Sequence, residues 1–176
     1  TSGSTGEPKG VMLSQFNIAS NVEAVDQLLH LEASDVLMGV LPFFHSFGYT
    51  VTMWCVLCLN PKGVYHFNPL DARTIGQLCE EHKVTILMAT PTFVRTYLKR
   101  VEKSQFATLD LVITGAEKLP PDLAEAFVNK FGVQIHEGYG TTELTPLAAV
   151  NVPDHREETF TQVGSKKGTV GRAIPG

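Results

Sequence analysis

Short apolar runs alternate with amphipathic segments through the middle of the chain, and this alternation favours a layered α/β fold. Strands are predicted at residues 64–67, 84–88, 111–114 and 133–137. Between them, residues 71–82 and the segments that open at Thr90 and Pro120 carry apolar side chains at helical spacing. Continuous apolar strands between amphipathic helices predict a largely parallel sheet with helices on both faces.

The rest of the chain extends this pattern. Further elements are predicted at residues 14–30 (helix), 35–41 (strand), 47–59 (apolar helix), 147–152 (strand) and 154–167 (solvated surface loop). Ser14 and Ser46 are the predicted N-caps of the two helices, and Thr90 caps a helix whose first residue is Pro91. Gly132 is expected to end the helix that Pro120 opens.

The composition fits one globular domain, since the chain has 176 residues of which 43% are hydrophobic and 18% are charged. The net charge is −4 and the charges form no basic stripe, which argues against a nucleic acid as partner. The longest apolar run is interrupted by Thr50 and Thr52 and is too short to span a bilayer. A sparse and odd set of three cysteines favours a reducing compartment, which predicts a cytoplasmic location.

In a largely parallel sheet, ligands bind at the carboxyl ends of the strands, where the connecting loops converge. This rule selects the loops at residues 42–47, 89–91, 115–119 and 138–143. Candidate site residues are therefore sought in these loops first.

A second kind of signal is the glycine- and hydroxyl-rich segment TSGSTGEPKG at residues 1–10. Glycines let backbone amides approach an anion closely, hydroxyls add donors, and Lys9 supplies a positive charge, so this mixture suits a triphosphate. A Walker loop is excluded because Pro8 occupies the place of its second glycine and Gly10 follows the lysine. A flexible Gly/Ser linker is the alternative interpretation.

The segment EGYGTTE at residues 137–143 follows a predicted strand. Two glycines around Tyr139 predict a tight turn that presents an aromatic face to a purine. Thr141 and Thr142 offer hydroxyls, and Glu143 offers a carboxylate to a Mg²⁺ that bridges phosphates.

Together these two segments resemble the phosphate loop and the second signature of the adenylate-forming superfamily, which includes acyl-CoA synthetases, luciferases and peptide-synthetase adenylation domains. The resemblance implies that Tyr139 stacks on adenine, Thr142 contacts the α-phosphate, and Glu143 holds Mg²⁺. The implied ATP site comprises Thr1, Ser2, Gly3, Ser4, Thr5, Gly6, Lys9, Gly115, Ala116, Glu117, Glu137, Gly138, Tyr139, Gly140, Thr141 and Thr142. For residues 115–117, an ordinary strand-to-helix turn is an equally good interpretation.

The segment LPFFHSFG at residues 41–48 contains a histidine among apolar residues. On composition alone, His45 is a packed or capping histidine. The resemblance implies instead that it borders an acyl pocket, together with Phe47, Gly48 and Gly138. The implied catalytic set is Lys9, His45, Thr142 and Glu143.

The implied activity is activation of a fatty acid by ATP and Mg²⁺ to an acyl-adenylate, with release of pyrophosphate. The acyl group then passes to a thiol, either coenzyme A or the phosphopantetheine of an acyl carrier protein. The flanking sequences are most similar to the synthetase part of bifunctional acyl-[acyl-carrier-protein] synthetase/2-acylglycerophosphoethanolamine acyltransferases, with long-chain acyl-CoA synthetases as the near alternative. This similarity leaves open a role in lysophospholipid acylation and contact with the inner membrane surface through other parts of the full-length protein.

The resemblance also implies that residues 1–176 are part of a large N-terminal AMP-binding domain, without its upstream strands and without the small C-terminal lid domain. A ribose-binding aspartate, a hinge and a lysine of the lid are expected beyond Gly176. We therefore expect the isolated chain to bind adenine nucleotide weakly and to form no acyl-adenylate at a useful rate. Two alternatives stay open: a non-catalytic nucleotide- or acyl-binding module, and a phosphoryl-transfer ATPase.

Overall fold

The computed structural model of the protein describes residues 6–156 and 161–176. Within these ranges, seven strands form one sheet in the order β2-β1-β3-β4-β5-β6-β9, and β7 and β8 pair separately. The strands are β1 (Val36–Gly39), β2 (Lys62–Tyr65), β3 (Ile86–Ala89), β4 (Leu111–Thr114), β5 (Ile135–Gly140), β6 (Leu147–Val150), β7 (His155–Arg156), β8 (Thr161–Gln162) and β9 (Arg172–Ala173). The pairs from β2 to β5 are parallel, whereas β6 and β9 join antiparallel. The predicted α/β fold with a largely parallel sheet is confirmed.

Helices cover both faces of the sheet. Successive side chains of a strand point to opposite faces, so neighbouring strand residues pack into two separate apolar cores. The helices are α1 (Gln15–Leu29), a π-helical turn (Gly48–Trp54) that runs into α2 (Cys55–Leu59), α3 (Ala72–His82), α4 (Pro91–Arg100) and α5 (Pro121–Phe131). Met38, Leu87 and Val112 pack with α3, α4 and α5. Their neighbours Leu37, Met88 and Ile113 pack on the other face with α1, the π-helical turn and α2.

Local capping explains where several helices begin and end. The hydroxyl of Ser14 accepts a hydrogen bond from the amide of Asn17, and Asn17 bonds back to the Ser14 amide. Thr90 caps α4 through its hydroxyl alone, which accepts the amide of Phe93, with Pro91 as the first helical residue. Gly132 ends α5 in the left-handed conformation, at φ 82°. These four sequence predictions are confirmed.

The predicted cap at Ser46 is wrong. Its hydroxyl pairs with the hydroxyl of Thr142 at 3.3 Å, 96 positions along the chain. Instead, Nδ1 of the His45 imidazole accepts a hydrogen bond from the backbone amide of Phe47, at 3.2 Å, just before the helix. The helix also starts as a π-helical turn, in which Thr52 donates to the carbonyl of Gly48 at 2.7 Å.

The tight turn predicted around Tyr139 is wrong as well, because β5 continues through Gly140. Tyr139 pairs with Ala149 of β6, and the register shifts between Tyr139 and Gly140. A side chain at Gly140 would overlap with the carbonyl of Pro146, so the glycine is required by close packing and not by a turn.

The boundaries of several other segments differ from the predictions, and β3 and β5 each begin two residues later than predicted. Strand β2 begins two residues earlier than predicted, because its register is set by pairing with β1. The segment predicted as a loop at residues 154–167 contains the paired strands β7 and β8. Within the segment, the amide of Gly164 donates to the carboxylate of Asp154 at 2.9 Å. The segment is anchored to the body by the amide of Lys166, which donates to the side chain of Asn151 at 2.9 Å, and by the carbonyl of Gly164, which accepts the amide of Val152 at 3.1 Å. In the part of the chain that the structure describes, no helix has the length and apolarity needed to cross a membrane.

Candidate active site

A cavity of about 290 Å³ opens at the carboxyl ends of β1, β4 and β5. Its mouth contains hydroxyl, imidazole and carboxylate groups from the loops that follow β1 and β5. The predicted site residues that line it are His45, Phe47, Gly115, Ala116, Gly138, Tyr139, Gly140, Thr141, Thr142 and Glu143. Its deeper wall is apolar and is formed by Val25, Leu28, Leu29, Val51, Met88, Ile113, Leu147 and Val150.

The loop after β5 carries the most polar part of the lining. Thr141 donates from its amide to the carbonyl of Pro146 at 2.9 Å, which closes the loop at its base. Between these residues, a 3₁₀ turn covers Thr142–Leu144 and a cis peptide bond joins Thr145 to Pro146. The result is a compact loop that holds the Thr142 hydroxyl and the Glu143 carboxylate at the cavity mouth.

The loop after β1 faces this loop across the mouth. His45 lies at its turn, and the ring of Phe47 covers Gly115, where an added side-chain carbon would come within 3.2 Å of the ring. The contact between Ser46 and Thr142 joins the two loops directly. Gly48 lies just outside the cavity lining, buried against the carbonyl of Pro42, where only a glycine fits.

The loop after β4 contributes backbone at Gly115 and Ala116, and Ala116 adopts a left-handed conformation at φ 67°. Two predicted ATP-site carboxylates lie outside the cavity lining and bond to this region. Glu117 accepts the hydroxyl of Thr92 at 2.7 Å, and Glu137 accepts the amide of Leu119 at 3.1 Å. In this structure both carboxylates shape the loop after β4, and their contact with a nucleotide stays a prediction.

The glycine-rich segment is described only in part. Thr1, Ser2, Gly3, Ser4 and Thr5 lie outside the described residues. Gly6 and Lys9 are exposed and lie outside the lining of the cavity. Their contact with the β- and γ-phosphates stays a prediction.

The donor set at the mouth suits a hard cation held mainly by its substrate. Glu143 is exposed and offers one carboxylate, and the described residues contain no group of three His, Cys, Asp or Glu that could hold a metal ion. Mg²⁺ is commonly held by one or two carboxylates together with phosphate oxygens and water. Glu143 therefore fits the Mg²⁺ role that the sequence predicts.

Burial shifts the pKa of the one histidine of β5. His136 is 4% exposed and precedes Gly138 on the face of β5 that lines the cavity. Burial lowers the pKa of its imidazole, while the negative charge of Asp154 opposes this shift. At neutral pH the imidazole of His136 is therefore uncharged.

A family model described as AMP-binding enzyme matches residues 1–176. The chain belongs to this family. Among curated proteins, the AMP-binding chain is 37% identical to "4-coumarate--CoA ligase-like 9" of Oryza sativa subsp. japonica, over 99% of this chain and 32% of that protein. It is 30% identical to a "Long-chain-fatty-acid--CoA ligase" of Bacillus subtilis (strain 168), over 86% of this chain and 28% of that protein.

Solved structures agree with this membership. Apo MatB from Rhodopseudomonas palustris superposes with a TM-score of 0.84 at 30% identity, covering 99% of this chain and 33% of that one. ATP-bound MatB from the same organism gives a TM-score of 0.83 at 31% identity, over 100% of this chain and 33% of that one. The AMP-binding chain thus spans about a third of the length of the proteins that it matches.

Two residues of this AMP-binding chain that contribute to the site were missed in the sequence. Ser46 contacts Thr142, and Asn21 of α1 bonds to the backbone at the end of the loop after β5. The signal for Asn21 was an amide among the apolar positions Ile18, Val22 and Val25 of an amphipathic helix. The signal for Ser46 was weaker, because a serine before a helix is ordinarily interpreted as its cap.

Proposed function

We propose that this chain is the nucleotide- and acid-binding part of an acid–thiol ligase. The enzyme uses ATP to convert a carboxylic acid to an acyl-adenylate and passes the acyl group to a thiol. The observation that carries the proposal is the single cavity that joins Tyr139, Thr142 and Glu143 to His45 and an apolar wall, in a chain of the AMP-binding enzyme family. The matched relatives are about three times longer than this chain. We propose that the chain is part of the N-terminal domain of a protein of similar length.

In the first reaction, an oxygen of the substrate carboxylate attacks the α-phosphorus of ATP. The bond from that phosphorus to the oxygen bridging the α- and β-phosphates breaks, and pyrophosphate leaves. Thr142 donates its hydroxyl proton in a hydrogen bond to an α-phosphate oxygen, where negative charge increases in the transition state. Glu143 would hold Mg²⁺, which would neutralise part of the negative charge of the triphosphate.

Other groups orient the two substrates. Tyr139 offers its ring to the adenine beside the backbone of Gly115 and Ala116. His45 and Phe47 border the acid, whose carboxylate must approach an anionic triphosphate. Lys9 and the hydroxyls of the segment at residues 1–10 bind the departing phosphates in this proposal.

The apolar wall supports an acid with an apolar tail, because no lysine or arginine is among the described residues that line the cavity. We propose a fatty acid as substrate and coenzyme A as acceptor, in keeping with relatives named as CoA ligases. An acyl carrier protein would present the same phosphopantetheine thiol and is the alternative acceptor. A further role in lysophospholipid acylation, at the inner membrane surface, follows only from the sequence resemblance.

The test is pyrophosphate exchange into ATP by the full-length protein, with a series of carboxylic acids from acetate to palmitate and with 4-coumarate. The proposal predicts exchange that depends on the acid, with AMP released as the leaving group once a thiol acceptor attacks the acyl carbon. It also predicts that Glu143→Gln lowers the exchange rate at least tenfold. Formation of ADP and phosphate would support a phosphoryl-transfer ATPase instead. Nucleotide binding without exchange for any acid would support a non-catalytic binding module.

A further inference from the structure

The side chain of Asn21 joins helix α1 to the end of the loop that carries Thr142 and Glu143. Its amide nitrogen donates to the carbonyl of Leu147 at 2.8 Å and to the carbonyl of Leu144 at 3.4 Å. Its amide oxygen accepts the backbone amide of Leu147 at 3.4 Å. One side chain thus bonds three backbone groups on a segment more than 120 positions away.

These bonds are costly to lose, because the residue is only 5% exposed. A buried amide is unfavourable unless its donors and acceptor are paired, and the same holds for the backbone groups that it satisfies. The neighbours Val22 and Val25 on α1 belong to the apolar core. The amide at this position is therefore explained by its partners at Leu144 and Leu147, and not by helix formation.

The bonded segment is continuous with the predicted catalytic groups. Leu144 ends the 3₁₀ turn that begins at Thr142, and its amide bonds back to Thr141 at 3.0 Å. The amide of Thr145 bonds to the carbonyl of Thr142 at 3.2 Å. A displacement of Leu144 or Leu147 is therefore transmitted to Thr142 and Glu143 through a short, internally bonded loop.

We propose that Asn21 is a positioning residue for Thr142 and Glu143. It fixes their loop against α1, the helix that follows the predicted phosphate-binding segment at residues 1–10. This inference rests on the proposed adenylation function.

The test replaces Asn21 in the full-length protein and measures acid-dependent pyrophosphate exchange. For Asn21→Ala we expect kcat to fall about 10- to 100-fold, since displacing catalytic groups by about 1 Å can cost this much. The KM for the acid is expected to change less than threefold, because Leu147 is the one residue of the apolar wall that bonds to Asn21 among the described contacts. The Mg²⁺ concentration for half-maximal rate is expected to rise. Asn21→Ser keeps one hydrogen-bonding group and is expected to retain an intermediate rate. If the alanine variant does not fold, the serine variant takes its place in the test.

A general loss of stability is separated from positioning by two further variants. Thr108→Ala removes a side-chain bond to the carbonyl of Val84, 2.8 Å long and remote from the cavity, and is expected to leave kcat within twofold. In a Glu143→Gln background, Asn21→Ala is expected to lower kcat by a smaller factor than in the unaltered protein, because one of the two groups that it positions is already disabled. If Asn21→Ala lowers kcat by the same factor in both backgrounds, its role is merely structural and the inference is overturned.

The outcomes distinguish the two proposals. If the unaltered protein supports no exchange with any acid, the proposed function fails and the inference fails with it. If the unaltered protein is active and the Asn21→Ala protein, folded by its melting curve, keeps its kcat within twofold, the inference alone is overturned.

Discussion

The side-chain hydroxyls of Ser46 and Thr142 lie 3.3 Å apart and join the loop after β1 to the loop after β5. Either oxygen can donate in this contact. When Thr142 donates to a phosphate, its oxygen remains free to accept the proton of Ser46. In this proposed arrangement, the two hydroxyls form a chain of hydrogen bonds that runs from the loop after β1 to the nucleotide.

Replacing Ser46 by alanine is therefore expected to slow acyl-adenylate formation without abolishing it. A neutral hydrogen bond contributes about 0.5–1.5 kcal/mol, which corresponds to a loss of roughly two- to tenfold in kcat for pyrophosphate exchange. Ser34→Ala is the matched control, because Ser34 is exposed and bonds only to nearby Glu32 at 3.4 Å. An Ser46→Ala protein with unchanged kcat would show that this contact is incidental.

Local sequence signals predicted the layered fold well because each acts over a few residues. Ser14 and Thr90 cap their helices through amides three positions ahead, and Gly132 ends α5 through its own backbone conformation. The apolar run at Leu111–Thr114 coincides with β4 because its four residues are fully enclosed. The rule that ligands bind at the carboxyl ends of parallel strands selected three loops, at residues 42–47, 115–119 and 138–143, whose candidate residues except Glu117 line one cavity. The described candidates outside these loops do not line it.

Contacts between distant parts of the chain were the ones that the sequence did not reveal. A glycine pair around Tyr139 suits both a turn and a tightly packed strand, and the choice depends on Pro146 in the neighbouring segment. Ser46 had a local role available as a cap, but its partner is Thr142. Likewise, the partners of Asn21 lie beyond any periodicity of its own helix.

Gly140 is expected to tolerate no side chain. A Cβ atom there would overlap with the carbonyl of Pro146 in the adjacent strand segment, and the backbone on both sides is hydrogen-bonded. Gly140→Ala is therefore expected to lower the free energy of unfolding by about 1–3 kcal/mol, measured by urea denaturation. Gly10→Ala is the control, since nothing lies within 4 Å of a Cβ at that position, and its effect is expected within about 0.5 kcal/mol. Equal midpoints for the two variants would contradict the packing argument.

The three cysteines are expected to differ sharply in reactivity. Burial raises the pKa of the Cys55 and Cys79 thiols to about 12, whereas Cys58 is exposed on α2. Because the thiolate is the reactive form, a thiol reagent at pH 8 should label one cysteine in the native protein and three in urea. Cys58→Ser should remove the native labelling while leaving two sites in urea. Rapid labelling of native Cys58→Ser would show that Cys55 or Cys79 is accessible.

The buried imidazole of His136 predicts a pH dependence of stability. Burial lowers its pKa in the folded protein below the ordinary value of 6.5, and Asp154 only partly offsets this. As pH falls below about 6.5, the unfolded chain therefore binds a proton that the folded protein does not bind, and the free energy of unfolding decreases. The loss continues until the pH reaches the lowered pKa of the folded state, with a limiting slope of about 1.4 kcal/mol per pH unit.

His136→Gln removes this titration. The variant is expected to have a lower stability at pH 7, because an amide replaces a ring within the core, but a smaller further loss between pH 7 and pH 5 than the native protein. The quantity to compare is the change in free energy of unfolding over that interval, from urea denaturation of both proteins at several pH values. The two proteins differ only at residue 136, so the difference between the slopes reports the imidazole together with its interaction with Asp154. A native protein that loses no more stability than the variant would show that His136 accepts a proton as readily in the fold as in the unfolded chain.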